Sequence, residues 1–199
     1  MPDLVLVMDR YEIEGEYIDT AFGRCRVERF VSQIPVDRYI RDFRDVERFL
    51  GLCRQCPNYA VTWACPPFDF DAEALLRQYS VADLIAVKVT PFDGLLPEWC
   101  AQDLIRPVQL HMQRELHERE RLTGGRAFDN IGRCVYCSGR ECTRLAGERC
   151  RYPDKVRPSL EAFGFDIGKT LRELFGIEIK WCRDGYLPEY LMLVSGLFR

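Results

Sequence analysis

The chain reads as an α+β protein with a largely antiparallel sheet, and three observations predict it. Strand-like runs and helical stripes are mixed without the regular βαβ alternation of a doubly wound sheet. The segment 84–89, "LIAVKV", is an apolar run of the kind that fills a strand buried on both faces. Near the end, "IEIKW" and "YLMLVSGL" read as two strands joined through Asp184–Gly185, a dipeptide suited to a hairpin turn.

In chain order, residues 3–8 ("DLVLVM") and 25–31 ("CRVERFV") read as short strands. Apolar residues then recur at Val36, Tyr39, Ile40, Phe43, Val46 and Leu50, a single helical stripe that Gly51 is placed to cap. Asp71 is placed to cap a short helix, "AEALLRQYS", ahead of the strand at 84–89. A long helix is predicted from Pro107, as its first residue, to Leu122, closed by Gly124 and Gly125. Ile105, Val108, Met112 and Leu116 give its buried stripe, and "RELHERER" a charged outer face. Two short helices, 159–163 and 167–175, each end at a glycine, Gly164 and Gly176. With no long linker, repeat or low-complexity tract, the expectation is a single α+β domain across 1–199, with cysteine loops at 53–67 and 134–157.

Of 199 residues, 47% are hydrophobic and 30% charged, with a formal net charge of −3, which argues against a disordered chain or a general nucleic-acid binder. No apolar run approaches the roughly 20 residues that cross a bilayer, so no membrane association is expected. The first residues are acidic where a signal peptide is basic, and the expected location is the cytoplasm. That matters for the ten cysteines, because in a reducing compartment clustered cysteines serve metal or redox chemistry more often than disulfides.

Seven of the ten fall into two clusters. Cys134, Cys137, Cys142 and Cys150 supply four thiolates in one loop, the donor set of tetrahedral zinc or of a [4Fe–4S] cube. Two features favour iron–sulfur. Between Arg133 and Arg157 lie seven basic and three acidic residues, a local +4 in a chain of −3, and a cationic surround eases burial of an anionic cube. Proline also follows cysteine at Cys56–Pro57 and Cys65–Pro66, as after ferredoxin-type ligands. The first cluster, Cys53, Cys56 and Cys65, lacks a fourth cysteine close in sequence. Cys25, Cys100, Cys182, His111, His117 or Cys150 could complete it, or one iron could stay open. Tyr59 and Trp63 read as packing around the metal, and the two histidines as surface groups. "GFDIGKT" imitates a phosphate-binding loop, but its glycines are one residue too close and it follows a helix.

The sequence "CRQCPNYAVTWACPP" and the tail "CVYCSGRECTRLAGERCRYPDKVRPSLEAFGFDI" together resemble the family designated domain of unknown function 2284, described as predicted metal-binding proteins. The resemblance runs from about Ile34 to the C-terminal strands. It departs from the family at Ala60, where glycine is usual. The resemblance implies metal or iron–sulfur binding and no particular reaction. The expected function is a cytoplasmic protein with one or two [4Fe–4S] clusters that serves electron transfer. Two alternatives are an enzyme with an open iron at the three-cysteine site and a structural zinc protein. The expected partner is a redox protein or a small-molecule substrate.

Overall fold

The computed structural model describes residues 17–199 except 93, 130 and 138; the strand expected at 3–8 lies outside them. Strands β1 (Tyr17–Thr20), β2 (Gly23–Pro35), β3 (Val81–Pro91), β4 (Arg126–Phe128) and β5 (Leu191–Phe198) form one sheet in the order β1-β2-β3-β5-β4. Every neighbouring pair is antiparallel. The fold is therefore α+β, as the sequence predicts.

Helices cover both faces of the sheet. On one, Ile34, Leu84, Ala86, Val194 and Phe198 pack with α1 (Val36–Phe43), α3 (Ala72–Leu76), α5 (Ile167–Thr170) and the turn Glu161–Phe163. On the other, Val27, Ile85, Val87, Leu193 and Leu197 pack under α4 (Ala101–Thr123). Two apolar layers explain why β3 alternates so little: successive side chains point to opposite faces, and both faces are buried. Among the described residues, no helix is long and apolar enough to cross a membrane.

The single helix expected over Val36–Leu50 is two. α1 ends at Phe43, Arg44 is extended, and Asp45 starts α2 (Val46–Cys53) by accepting a hydrogen bond from Arg48 N at 3.1 Å. The break is tertiary in origin. Residues 43–45 pair with 164–166 through Asp45 N to Gly164 O and Asp166 N to Phe43 O, each 2.8 Å. Gly51 consequently lies inside α2 instead of capping it. The pairing depends on Gly164, which has φ +90°, and a Cβ there would meet Val46 Cα at 2.9 Å. Gly164→Ala is expected to cost about 2 kcal/mol or more, from left-handed strain plus a backbone clash. Gly176→Ala, also left-handed but with open space around it, should cost only about 1 kcal/mol. Equal shifts in thermal midpoint for the two variants would contradict the close approach.

α4 begins six residues before its expected start, so Pro107 sits in its interior. Proline there costs about 3 kcal/mol in an isolated helix. The earlier turns bury Leu104 completely and extend the stripe that continues through Ile105, Val108, Met112 and Leu116. At roughly 1.5–3 kcal/mol for each large apolar side chain, that burial offsets the proline. The helix closes on left-handed Gly124 as expected.

"IEIKW" is not a strand. The turn at Asp184 (φ 53°) and Gly185 (φ 79°) forms, with reciprocal Arg183–Tyr186 backbone bonds. Beyond it side chains join the limbs: Tyr190 Oη donates to Glu178 O at 2.6 Å, and Lys180 meets Glu189. Ile177 and Ile179 pack on the core instead of entering a ladder. The imitation phosphate loop also has an ordinary role: Asp166 accepts from Lys169 N, and Lys169 Nζ binds Asp42 O at 2.6 Å.

Candidate metal centre

The first cysteine loop leaves the end of α2 as a series of tight turns: Cys56 N to Cys53 O and Tyr59 N to Cys56 O, each 3.0 Å, then Cys65 N to Thr62 O at 3.1 Å. Ala60 N closes the loop on Pro66 O at 2.8 Å. To do so Ala60 takes φ +57°, the left-handed region that favours glycine. The departure from the family's glycine thus falls where glycine would relieve strain. Ala60→Gly is expected to stabilise the fold by about 1 kcal/mol; a loss of stability on chemical denaturation would contradict this.

Cys53 and Cys65 are half-buried and Cys56 is exposed. Burial pushes the Cys53 thiol up, and the charges of Cys65, Glu161 and Cys56 push the same way. Burial raises Cys65 too, opposed by the Thr62 hydroxyl and Arg144; Cys142 of the second loop adds to the rise. The two loops therefore adjoin, with Cys65 and Cys142 within each other's electrostatic reach. Glu161, which the sequence reading missed, is the carboxyl whose field Cys53 feels; burial raises it as well, against a Ser159 hydrogen bond.

The second loop is held at its entry by a polar stripe on α4. Gln109 donates to Ile131 O at 3.1 Å and Gln113 to Asp129 O at 3.4 Å. His117 Nε2 lies 2.7 Å from Asp129 Oδ2, and Glu120 binds Ala127 N and Arg157. Asp129 is 1% exposed, and burial pushes its carboxyl up although His117 opposes this. The expected charged outer face of this helix is thus largely turned to structural use, since Glu115 also pairs with Arg29 and Arg119 with Asp83. His117 is part of this anchor and not the surface group expected, while His111 lines a separate cavity between α4 and the sheet.

Cys134, Cys137, Cys142 and Cys150 line one cavity of about 430 Å³, together with Trp63 of the first loop. Burial pushes the Cys134 thiol up to about 11, and the other three cysteines add to it. Burial raises Cys150 as well, with Cys142 and Cys137 adding. Donors reach the sulfurs: Tyr152 N–H to Cys150 Sγ at 3.3 Å, and Arg151 Nη1 to Cys137 Sγ at 3.8 Å. Such N–H···S bonds tune thiolate centres. Cys150 groups with the second set.

Arg144 joins the loops. It stands between Cys142 and Cys150, yet its guanidinium donates to three carbonyls of the other loop, Thr62 O at 2.7 Å, Cys65 O and Pro67 O. It also lies 5.3 Å over the Trp63 ring. Of the other cysteines, Cys25 and Cys100 are buried under α4, and Cys182 packs against that same layer. They lie on the sheet face opposite the one that carries α1 and the Glu161 turn.

The donor chemistry can be tested against what it would hold. Among the described residues, no three His, Cys, Asp or Glu side chains converge on a single ion position. The four cysteines instead spread around a shared cavity whose wall includes Trp63, and the Trp63 Nε1–H is buried with no acceptor. Thr143 Oγ1, beside Cys142, is likewise buried without a partner. Four thiols around one cavity are a donor set that suits a tetrahedral ion or a polynuclear iron–sulfur core.

No curated protein and no solved structure matches this chain. A family profile does, over residues 40–198, which include both cysteine loops and everything that positions them. The chain therefore belongs to the family described as predicted metal-binding protein, DUF2284.

Proposed function

We infer that this metal-binding chain is a cytoplasmic iron–sulfur protein serving electron transfer. Cys134, Cys137, Cys142 and Cys150 would hold a [4Fe–4S] cube, and Cys53, Cys56 and Cys65 a second site beside it. One observation carries the reading: four cysteines of one loop line a single cavity, and N–H donors from Tyr152 and Arg151 reach two of the sulfurs. When bound, the cluster supplies one-electron chemistry. This chain's residues supply the rest. Arg151 and the Tyr152 N–H place positive dipoles on sulfur, Arg144 and Arg151 offset negative charge, and Trp63 closes one side of the cavity.

The meeting of the two loops, through Arg144 on Thr62 O and Trp63 in the wall of the four-cysteine cavity, supports electron passage between two neighbouring centres and onward to a redox protein. A second reading, an enzyme with an open iron, is favoured by the exposure of Cys56 and by the placement of Cys25, Cys100 and Cys182 in the layer under α4. Protein purified without oxygen is expected to be brown, with broad absorption near ~400 nm that bleaches on reduction. A colourless protein that stays so after anaerobic reconstitution with iron and sulfide would overturn the reading.

A further inference from the structure

The cysteine cavity has a second set of groups at its wall. Arg106 from α4 and Arg133 and Arg140 from the second loop line it with the sulfurs. All three are exposed, and none has a carboxylate within ion-pair distance among the described residues. By contrast, Arg29, Arg44, Arg119, Arg157 and Arg199 each hold an acidic partner. Arg106, Arg133 and Arg140 are thus three unengaged guanidiniums from two elements, gathered at one cavity.

Charge sharpens the point. Arg144 and Arg151, next to the cysteines, bind carbonyls and a sulfur and no carboxylate. Three guanidiniums thus share the cavity wall with one carboxylate, Glu141, while Arg144 and Arg151 stand just outside that wall. An oxidised cube on four thiolates carries about −2, so the three wall arginines and Glu141 roughly balance it. Arg144 and Arg151 beside the wall supply the surplus of about two positive charges. Guanidinium forks match the paired oxygens of carboxylate and phosphate, and a concave site of this volume suits a small molecule better than a protein surface.

We propose that the cavity binds a small dianion, a dicarboxylate or a phosphate, at Arg106, Arg133 and Arg140 beside the four cysteines. The proposal rests on the metal-centre reading for its chemistry, while the affinity resides in the arginines. It names the substrate class that an open iron at the adjoining three-cysteine loop would take, since Thr62 and Trp63 of that loop line the same cavity.

The test is calorimetric titration of the anaerobically purified protein with malonate and, separately, with inorganic phosphate, against chloride at matched ionic strength. One or both anions should bind saturably, and electron paramagnetic resonance of the reduced protein should shift with the same titration. Arg106→Gln and the double variant Arg133→Gln/Arg140→Gln should each weaken binding at least tenfold. These side chains hold no ion-pair partner among the described residues, so metal content and circular dichroism should stay unchanged. Arg149→Gln, outside the cavity wall, should leave binding as it is. Saturation by malonate alone assigns a carboxylate ligand, and by phosphate alone a phosphoryl one. Neither anion exceeding chloride, or binding that survives both arginine variants, overturns the proposal. A protein found to hold zinc without sulfide would fail the iron–sulfur reading alone, because the calorimetric arm still reads the arginines.

Discussion

Arg144→Ala is expected to release the first cysteine loop while leaving the sheet intact. The guanidinium holds three carbonyls, Thr62 O, Cys65 O and Pro67 O, that come from the other loop. A hydrogen bond from a charged donor contributes about 1.5–3 kcal/mol, and three on one group are not additive, so the local cost should be roughly 3 kcal/mol. Hydrogen exchange over residues 59–68 should accelerate on the order of a hundredfold, with amides in β3 and α4 unchanged. Arg144→Lys should rescue little, since an ammonium cannot span three carbonyls as a planar fork does. If the Cys53, Cys56 and Cys65 site binds metal, it should also lose occupancy before the second site does. Unchanged exchange in the loop would show that Arg144 is not what joins the two cysteine loops.

The largest effect on global stability is expected at Glu120 and Arg157, which lie between α4 and the exit of the second loop. Their side chains are 15% and 9% exposed, and Arg157 Nε lies 2.9 Å from Glu120 Oε2, which also accepts from Ala127 N at 2.7 Å. Removing either partner leaves a charge buried alone, a loss of about 3–5 kcal/mol, whereas replacing both with apolar residues should cost much less. Burial by itself would raise the Glu120 carboxyl, but Arg157 and the Ala127 N–H outweigh it and hold the group below its usual range. The stabilisation is therefore complete above the unfolded value of about 4.3 and is lost as pH falls through the lower folded value. Glu120→Gln should abolish that part of the acid dependence. Urea titrations at neutral and acid pH would show it; an acid slope equal in wild type and variant would contradict the assignment.

Much of this architecture is legible in the sequence wherever a local pattern and its burial agree. The apolar run at 84–89 needs both faces covered, and it has them. Asp71, Gly124 and Gly176 cap what their positions predict. The misreadings share one cause, a long-range contact that outweighs a local preference. The Gly164–Asp45 pairing splits a stripe that is helical on periodicity alone, and buried Leu104 carries α4 past a proline that normally starts a helix. "IEIKW" has strand composition, but its isoleucines find the core before its backbone finds a partner.

The site shows the same division. Spacing identifies the seven cysteines, and charge counting identifies a basic surround. Neither reveals that Arg144 serves the other loop, that Arg157 is committed to Glu120, or that Arg106, some thirty residues upstream of Cys134, enters the cysteine cavity. Such roles depend on which loops the fold brings together, and no periodicity records them. Trp63 lines the cavity of the four cysteines, a placement across two loops that no local pattern records.

Metal analysis of the protein and two variants, all prepared without oxygen, tests the central claim most directly. The account expects roughly four iron and four acid-labile sulfide for each occupied site. Cys137→Ala should remove the complement of the four-cysteine cavity, and Cys56→Ala that of the neighbouring loop. Stoichiometric zinc without sulfide in the wild type, or a metal content that neither substitution alters, would contradict it.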